Sequence, residues 1–341
     1  MKESNIEWCD HTFNPWEGCT RVSPGCANCY AEARNSRWNG GKAPNWGPGA
    51  PRRLTSAANW RQPILWNREA EAEARTALRE GKPYQRPRVF CASLADWLDE
   101  EVPVKWRADL LDLIRQTPAL DWLLLTKRPG NFMEFTASVA VFAGENDNPQ
   151  LEDWMDAWVA KGAAPANVWI GTTVEDQRRA DERIPKLLEI PARVRFLSCE
   201  PLLGPVLLGS RNMNVPSVGM VDRTIDWVIA GGESGPKARP MHPAWPRGLR
   251  DQCAAAGVAF FFKQWGEWLP GEVTESSGTG YRSCADGGPI RIVQNVQQQN
   301  FGTHPDRFSG SLTTIRVGKN AAGRLLDGVE HNEFPGEGHA G

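Results

Sequence analysis

The chain has 341 residues, 40% hydrophobic and 23% charged, with a formal net charge of −2. That is enough for one large or two ordinary domains of a soluble enzyme, and it excludes a globally basic nucleic-acid binder while leaving room for a local basic groove. No apolar run nears the ~18 residues of a membrane span, the opening Met-Lys-Glu-Ser-Asn-Ile-Glu-Trp lacks the apolar stretch of a secretion signal, and eight cysteines in this length make no disulfide scaffold, so the expected location is cytoplasmic.

Residues 1–87 read as irregular, rich in Gly, Pro, Asn and Trp, with Ser4–Cys9 as a candidate strand. Helices are expected at Tyr30–Trp38 and at Asn67–Glu80, the second stopped by Gly81 and Pro83. From residue 88, short apolar runs recur at 88–93, 122–126, 168–172, 194–198, 225–230 and 258–262, each the length of a buried strand. A helix from Pro103 to about Thr117 presents Trp106, Leu110 and Ile114 on one face. Another at Asp176–Glu189 turns Ala180, Ile184, Leu187 and Leu188 inward, with Pro185 as a kink. A third at Pro243–Ala256 uses Trp245, Leu249 and Cys253, and Gly257 stops it. Strands alternating with helices imply an α/β fold, a full or partial (β/α) barrel of mainly parallel strands, with a doubly wound open sheet as the alternative. The expected domains are a cysteine loop plus barrel over 1–269 and a small C-terminal cap over 270–341, with short strands at Ile290–Val293 and Leu312–Arg316 and a frayed end. The 16 tryptophans read as core fillers.

Polar residues gather where the strands end. They are Ser93 and Asp96; Thr126, Lys127 and Arg128; Thr172, Thr173, Glu175 and Asp176; Ser198, Cys199 and Glu200; Gly231-Gly232-Glu233; and Lys263 and Gln264. In a parallel barrel such ends form the rim that carries active sites. Lys127, Arg128 and Lys263 suit an anionic substrate, a phosphate or a carboxylate. Thr172, Glu175 and Glu200 suit an amine or ribose hydroxyls. Gly231 and Gly232 admit close backbone approach to a cofactor and Glu233 can accept from an ammonium, although a tight turn with a capping Glu explains the same run. Glu175, Glu200 and Glu233 also form an acid–base set for an ordinary barrel hydrolase or lyase.

Cys19, Cys26 and Cys29 lie in Gly18-Cys-Thr-Arg-Val-Ser-Pro-Gly-Cys-Ala-Asn-Cys-Tyr30, spaced C-x6-C-x2-C. Three thiolates can hold three irons of a [4Fe–4S] cluster and leave the fourth open for chemistry. Structural zinc is the rival, closed by Cys9 or His11, though only Cys26 and Cys29 have the usual pair spacing. Cys91, Cys199, Cys253 and Cys284 read as small buried hydrophobes. Cys199, beside Glu200, also reads as a redox or catalytic thiol.

The run Asn14–Glu32, together with Leu124–Pro129, Trp169–Glu175, Phe196–Leu203, Ile229–Gly235, Phe262–Gly266 and Gly318–Gly328, resembles a phage-associated three-cysteine-motif family. That family is similar to the radical S-adenosylmethionine (SAM) superfamily and, more distantly, to spore photoproduct lyase. The resemblance implies a [4Fe–4S] cluster on Cys19, Cys26 and Cys29, with Tyr30 as the aromatic that follows the last ligand. It also implies SAM as cofactor, an external electron donor, and cleavage of SAM to a 5′-deoxyadenosyl radical that abstracts hydrogen. The substrate implied is a nucleotide or nucleic acid, and the partner a separate three-Cys-motif protein. The superfamily's first gap is three residues; here it is six. A non-catalytic zinc or Fe–S protein acting with a partner in mobile-element biology is the alternative.

Overall fold

The computed structural model describes residues 4–209, 224–273, 281–286, 289–290, 298–300 and 312–336. The strands of the main sheet are β1 (His11–Thr12), β4 (Arg88–Cys91), β5 (Asp121–Thr126), β6 (Val168–Thr173), β7 (Val194–Cys199), β8 (Trp227–Gly231) and β9 (Ala259–Gln264). Their order is β1-β4-β5-β6-β7-β8-β9, and β2 (Trp16–Glu17) pairs antiparallel with β3 (Arg53–Leu54) as a separate two-stranded sheet. The order follows the chain with no reversal, so every crossover advances the same way, as in a (β/α) barrel and unlike a doubly wound sheet. It is open-ended, with β1 and β9 as its two ends, which makes it the partial barrel of the two expected. Pairing is parallel in β1–β4, β4–β5, β5–β6 and β8–β9. The strands read as continuous apolar runs because both faces are covered: Trp122, Leu123, Leu124, Val228, Ile229 and Ala230 are all fully buried.

Helices α1 (Tyr30–Trp38), α3 (Val104–Arg115), α6 (Gln177–Glu189) and a helix at Ala244–Ala256, numbered α7, stand within a residue or two of expectation. Gly257 ends α7 at φ 66°, a left-handed cap that glycine adopts without strain. Helix α2 (Ala57–Glu80) starts ten residues before its expected position. Ser56 caps it, its side chain accepting from the Asn59 amide, and Pro63, Trp66, Asn67 and Ala70 form its buried stripe, so packing overrides the interior proline. Two further helices, α4 (Phe132–Glu145) and α5 (Pro149–Val159), fill the β5–β6 crossover, where the sequence reading placed none. The second carried a legible start, an Asn148 cap followed by Pro149, and buries Leu151, Met155 and Trp158.

Ser4–Cys9 is not a strand. The Ser4 hydroxyl accepts from the Ile6 amide and the Cys9 amide donates to the Ile6 carbonyl, which turns the chain before β1. The C-terminal part forms an antiparallel sheet, order β12-β11-β10-β14-β13, of β10 (Trp268–Val273), β11 (Tyr281–Ser283), β12 (Pro289–Ile290), β13 (Gln298–Asn300) and β14 (Leu312–Arg316). Of the strand expected at Ile290–Val293, residues 291–293 lie outside the described residues. Residues 331–333 are bonded to β9, and of the end expected to fray residues 337–341 lie outside the described residues. The Phe262 amide donates to the His331 carbonyl, the Glu333 amide to the Phe260 carbonyl and the Phe260 amide to the Glu333 carboxylate, covering an otherwise open sheet edge. Among the described residues no helix is long and apolar enough to cross a membrane.

The chain divides into two compact units, residues 1–172 with 183–196, and residues 173–182 with 197–341.

Candidate functional site

In the first unit the cysteine loop begins where β1 ends. The Gly18 amide donates to the Leu94 carbonyl at 3.1 Å. The Asn14 side chain donates to Ser93 Oγ at 3.0 Å and accepts from the Leu94 amide at 2.8 Å, so the chain after β1 is tied to the chain after β4. Gly18 sits at φ 119°, and a Cβ there would stand 2.5 Å from the Asn45 carbonyl oxygen, so glycine is required. Arg52, with a fully buried side chain, donates to Asp99 Oδ2 at 2.8 Å, Thr20 Oγ1 at 2.8 Å and the Ala50 carbonyl at 2.8 Å.

Arg128 grips the same loop from the end of β5. It donates to Asp96 Oδ2 at 3.0 Å, to the Thr20 carbonyl at 2.7 Å and to Cys19 Sγ at 3.6 Å. Asp96 accepts in turn from Thr126 Oγ1 at 2.7 Å and the Lys127 amide at 2.8 Å. Burial opposes the charge on Arg128, but Asp96, Cys19 and Asp99 together hold its pKa above the ordinary arginine value. Burial, with Asp96 adding to it, pushes the Cys19 thiol up to about 12. Cys26 closes a 3-10 turn at Pro24–Cys26, 3.7 Å from Ser23 Oγ. Cys29 is the N-cap of α1. Burial raises its pKa against the opposing pull of the Glu32 and Ala31 amides and of Lys127. Tyr30 is exposed, its hydroxyl donating to the Ser93 carbonyl. Thr172 Oγ1 is buried and donates to the Thr126 carbonyl at 2.9 Å.

The three thiols are free, and each stands in the field of a cation: Cys19 of Arg128, Cys29 of Lys127 and Arg21, Cys26 of Arg21. Among the described residues no three His, Cys, Asp or Glu side chains are gathered tightly enough to hold a metal ion. The donor chemistry suits an iron–sulfur cluster, whose irons are held by cysteine thiolates. Cys9 does not join them. Its sulfur lies 3.4 Å from Ser4 Oγ, and the Asp10 amide bonds to Arg88 at the start of β4, whereas Gly18 bonds beyond that strand's end. Cys9 and Cys19 thus occupy opposite ends of β1. His11 stacks on Trp66 with ring centroids 4.4 Å apart.

In the second unit the ends of β7, β8 and β9 carry a different arrangement. Lys263 Nζ stands 2.9 Å from Glu200 Oε1 and 3.2 Å from Oε2. The pair spans Gly231 on the intervening strand, where a Cβ would come within 2.9 Å of Glu200 Oε1. The β8–β9 register shifts from Ala230↔Phe262 to Gly231↔Gln264, leaving Lys263 as the extra residue of a bulge. Bulges re-aim side chains, and this one carries Lys263 to Glu200. Gly232 has another reason for its identity, since a Cβ would lie 1.9 Å from the Trp265 carbonyl oxygen. Glu233 is bound twice by Arg239, at 2.6 Å from Nη2 and 2.8 Å from Nε, and accepts the Arg239 amide at 2.8 Å. Gly231 thus ends β8, the Gly232 amide donates to the Gln264 carbonyl, and the Glu233 carboxylate is committed to Arg239. Glu175 is fully buried, its carbonyl accepting from Leu203 at 2.7 Å. Cys199 is fully buried, and burial lifts its thiol well above its ordinary value.

Over residues 3–335 the chain matches the family described as protein of unknown function (DUF5131). The chain belongs to the DUF5131 family. No curated protein and no solved structure matches it. In this DUF5131 chain the structure collects Cys19, Cys26, Cys29, Tyr30, Lys127 and Arg128 in one unit, and Glu200, Gly231 and Lys263 in the other. The sequence reading placed Asp96 on the rim without a specific role and assigned none to Arg52, Asp99 or Arg239. The Asp96-x-x-Asp99 spacing just past a strand was the signal for two of them; Arg52 and Arg239 carried none.

Proposed function

We propose that this chain is a radical-SAM-like iron–sulfur enzyme with its cluster on Cys19, Cys26 and Cys29. The observation that carries the reading is the run of β1, cysteine loop and α1: three free thiols follow the first parallel strand, and the last of them caps the helix. A [4Fe–4S] cluster, when bound, supplies the single electron for reductive cleavage of SAM. The protein's own part is positional. Asn14, Arg52 and Arg128 fix the loop to the sheet, and Tyr30 lies against the end of β4. Glu200 holds the Lys263 ammonium where it can meet an anionic group, such as the phosphate of a nucleotide or nucleic acid. An external electron donor and a three-Cys-motif partner protein complete the proposal, and eight free cysteines suit a reducing cytoplasm.

Anaerobic purification tests it. Iron and sulfide in near-equal amounts, lost in Cys26→Ser, together with 5′-deoxyadenosine formed from SAM under dithionite, support the reading. Colourless protein holding stoichiometric zinc overturns it.

A further inference from the structure

We propose that Arg128 is a positioning residue for Cys19, its guanidinium N–H directed at the sulfur so that it fixes that ligand and raises the reduction potential of the cluster. The inference rests on the cluster reading above. The side chain is 7% exposed and both terminal nitrogens of its fork are engaged. Nη1 reaches Asp96 Oδ2 at 3.0 Å and Cys19 Sγ at 3.6 Å, and Nη2 reaches the Thr20 carbonyl at 2.7 Å and Asp99 Oδ1 at 3.7 Å. Its anchors are themselves held. Asp96 accepts from Thr126, Lys127 and Leu98, and Asp99 accepts from Arg52. The donor therefore cannot swing away, and the rigid fork of arginine hydrogen-bonds to three acceptors at once, with Asp99 as a further ion-pair partner, where a lysine offers a single point.

Asp96 and Asp99 balance the charges of Arg128 and Arg52. The influence on Cys19 is thus a directed hydrogen bond more than a net field. A charge-assisted N–H withdraws electron density from a thiolate, favouring the reduced cluster, and hydrogen bonds to ligand sulfurs are a recognised determinant of cluster potential. A strut alone would have been complete with Asp96, Asp99 and Thr20; the contact to Cys19 is the addition.

The test is an EPR-monitored redox titration of anaerobically reconstituted wild type, Arg128→Lys and Arg128→Met. At the wild-type midpoint, Arg128→Met is expected to show at least a tenfold lower ratio of reduced to oxidised cluster, about 59 mV for one electron. Arg128→Lys, which keeps the charge and folds with Asp96 still paired, falls between. If Arg128→Met does not fold, the lysine variant decides alone. A purely structural role would lower cluster occupancy and leave the potential of the clusters that form unchanged, and that result overturns the inference. Wild-type protein without iron and sulfide removes the cluster reading itself, so the two failures are distinct.

Discussion

Two groups of charged residues, one in each unit, are built from the same ion pairs and differ in burial. Arg52–Asp99 and Arg128–Asp96 expose between 0% and 7% of their side chains, and the two guanidinium groups donate to carboxylates, carbonyls, a hydroxyl and a thiol. Glu200–Lys263 keeps more exposure, 15% and 16%, and in the Glu233–Arg239 pair the arginine keeps 35% while the carboxylate keeps 5%. A pair removed from water is costly unless fully bonded, and once fully bonded it is a strut. A pair left at the edge of solvent keeps hydrogen-bonding capacity for a ligand. The cysteine loop therefore rests on charges that hold shape, while the Glu200–Lys263 pair at the ends of β7 and β9 stays closer to solvent.

The sharpest way to break this contrast is Arg52→Met. Leaving buried Asp99 without its closest partner should cost about 3–5 kcal/mol, read from the urea midpoint, and should lower iron retention with it. A smaller loss would mean that the loop does not depend on the buried network. Next comes Gly232→Ala. The added carbon meets the Trp265 carbonyl at 1.9 Å, and the backbone shift should cost at least the ~1–3 kcal/mol of ordinary overpacking, again from chemical denaturation. Lys263→Gln should cost only about 1 kcal/mol. It should nonetheless abolish binding of a phosphate-bearing substrate while iron content stays at the wild-type level. Unchanged binding would reduce the Glu200–Lys263 pair to another strut.

The smallest effect is one of pH. Glu17 is buried, which by itself raises its pKa, but hydrogen bonds from Arg53 and Arg34 outweigh this and hold it below the ordinary 4.5. Its contribution is thus fully present above 4.5 and is lost as pH falls through the lowered value. Both arginines are at least half exposed, so solvent screens the pair and the gain is modest. Thermal melts of wild type and Glu17→Gln should differ near neutrality and converge in acid; parallel curves would show that Glu17 titrates alike in the folded and unfolded chains.

Much of the architecture was legible in the residues. Runs such as Trp122–Thr126 and Val194–Ser198 are apolar enough to announce strands covered on both faces, and Gly81 and Gly257 mark helix ends by their conformation. The α4–α5 pair was missed because Phe132–Glu145 carries apolar residues around most of its circumference, which blurs the helical period. The cysteine trio was visible from spacing alone, and Lys263 from its place after a strand.

The chain by itself determined where strands and helices form, because apolar patterning and caps act between residues a few positions apart. Only the tertiary structure decided which charges are spent. Arg128 reads as a substrate cation until the fold sets it against Cys19, 109 residues away, and Lys263 becomes a paired cation only across the 63 residues that separate it from Glu200. The worth of a charge depends on how much water it has lost and on what replaces that water, and both are properties of neighbours that folding brings from elsewhere in the chain.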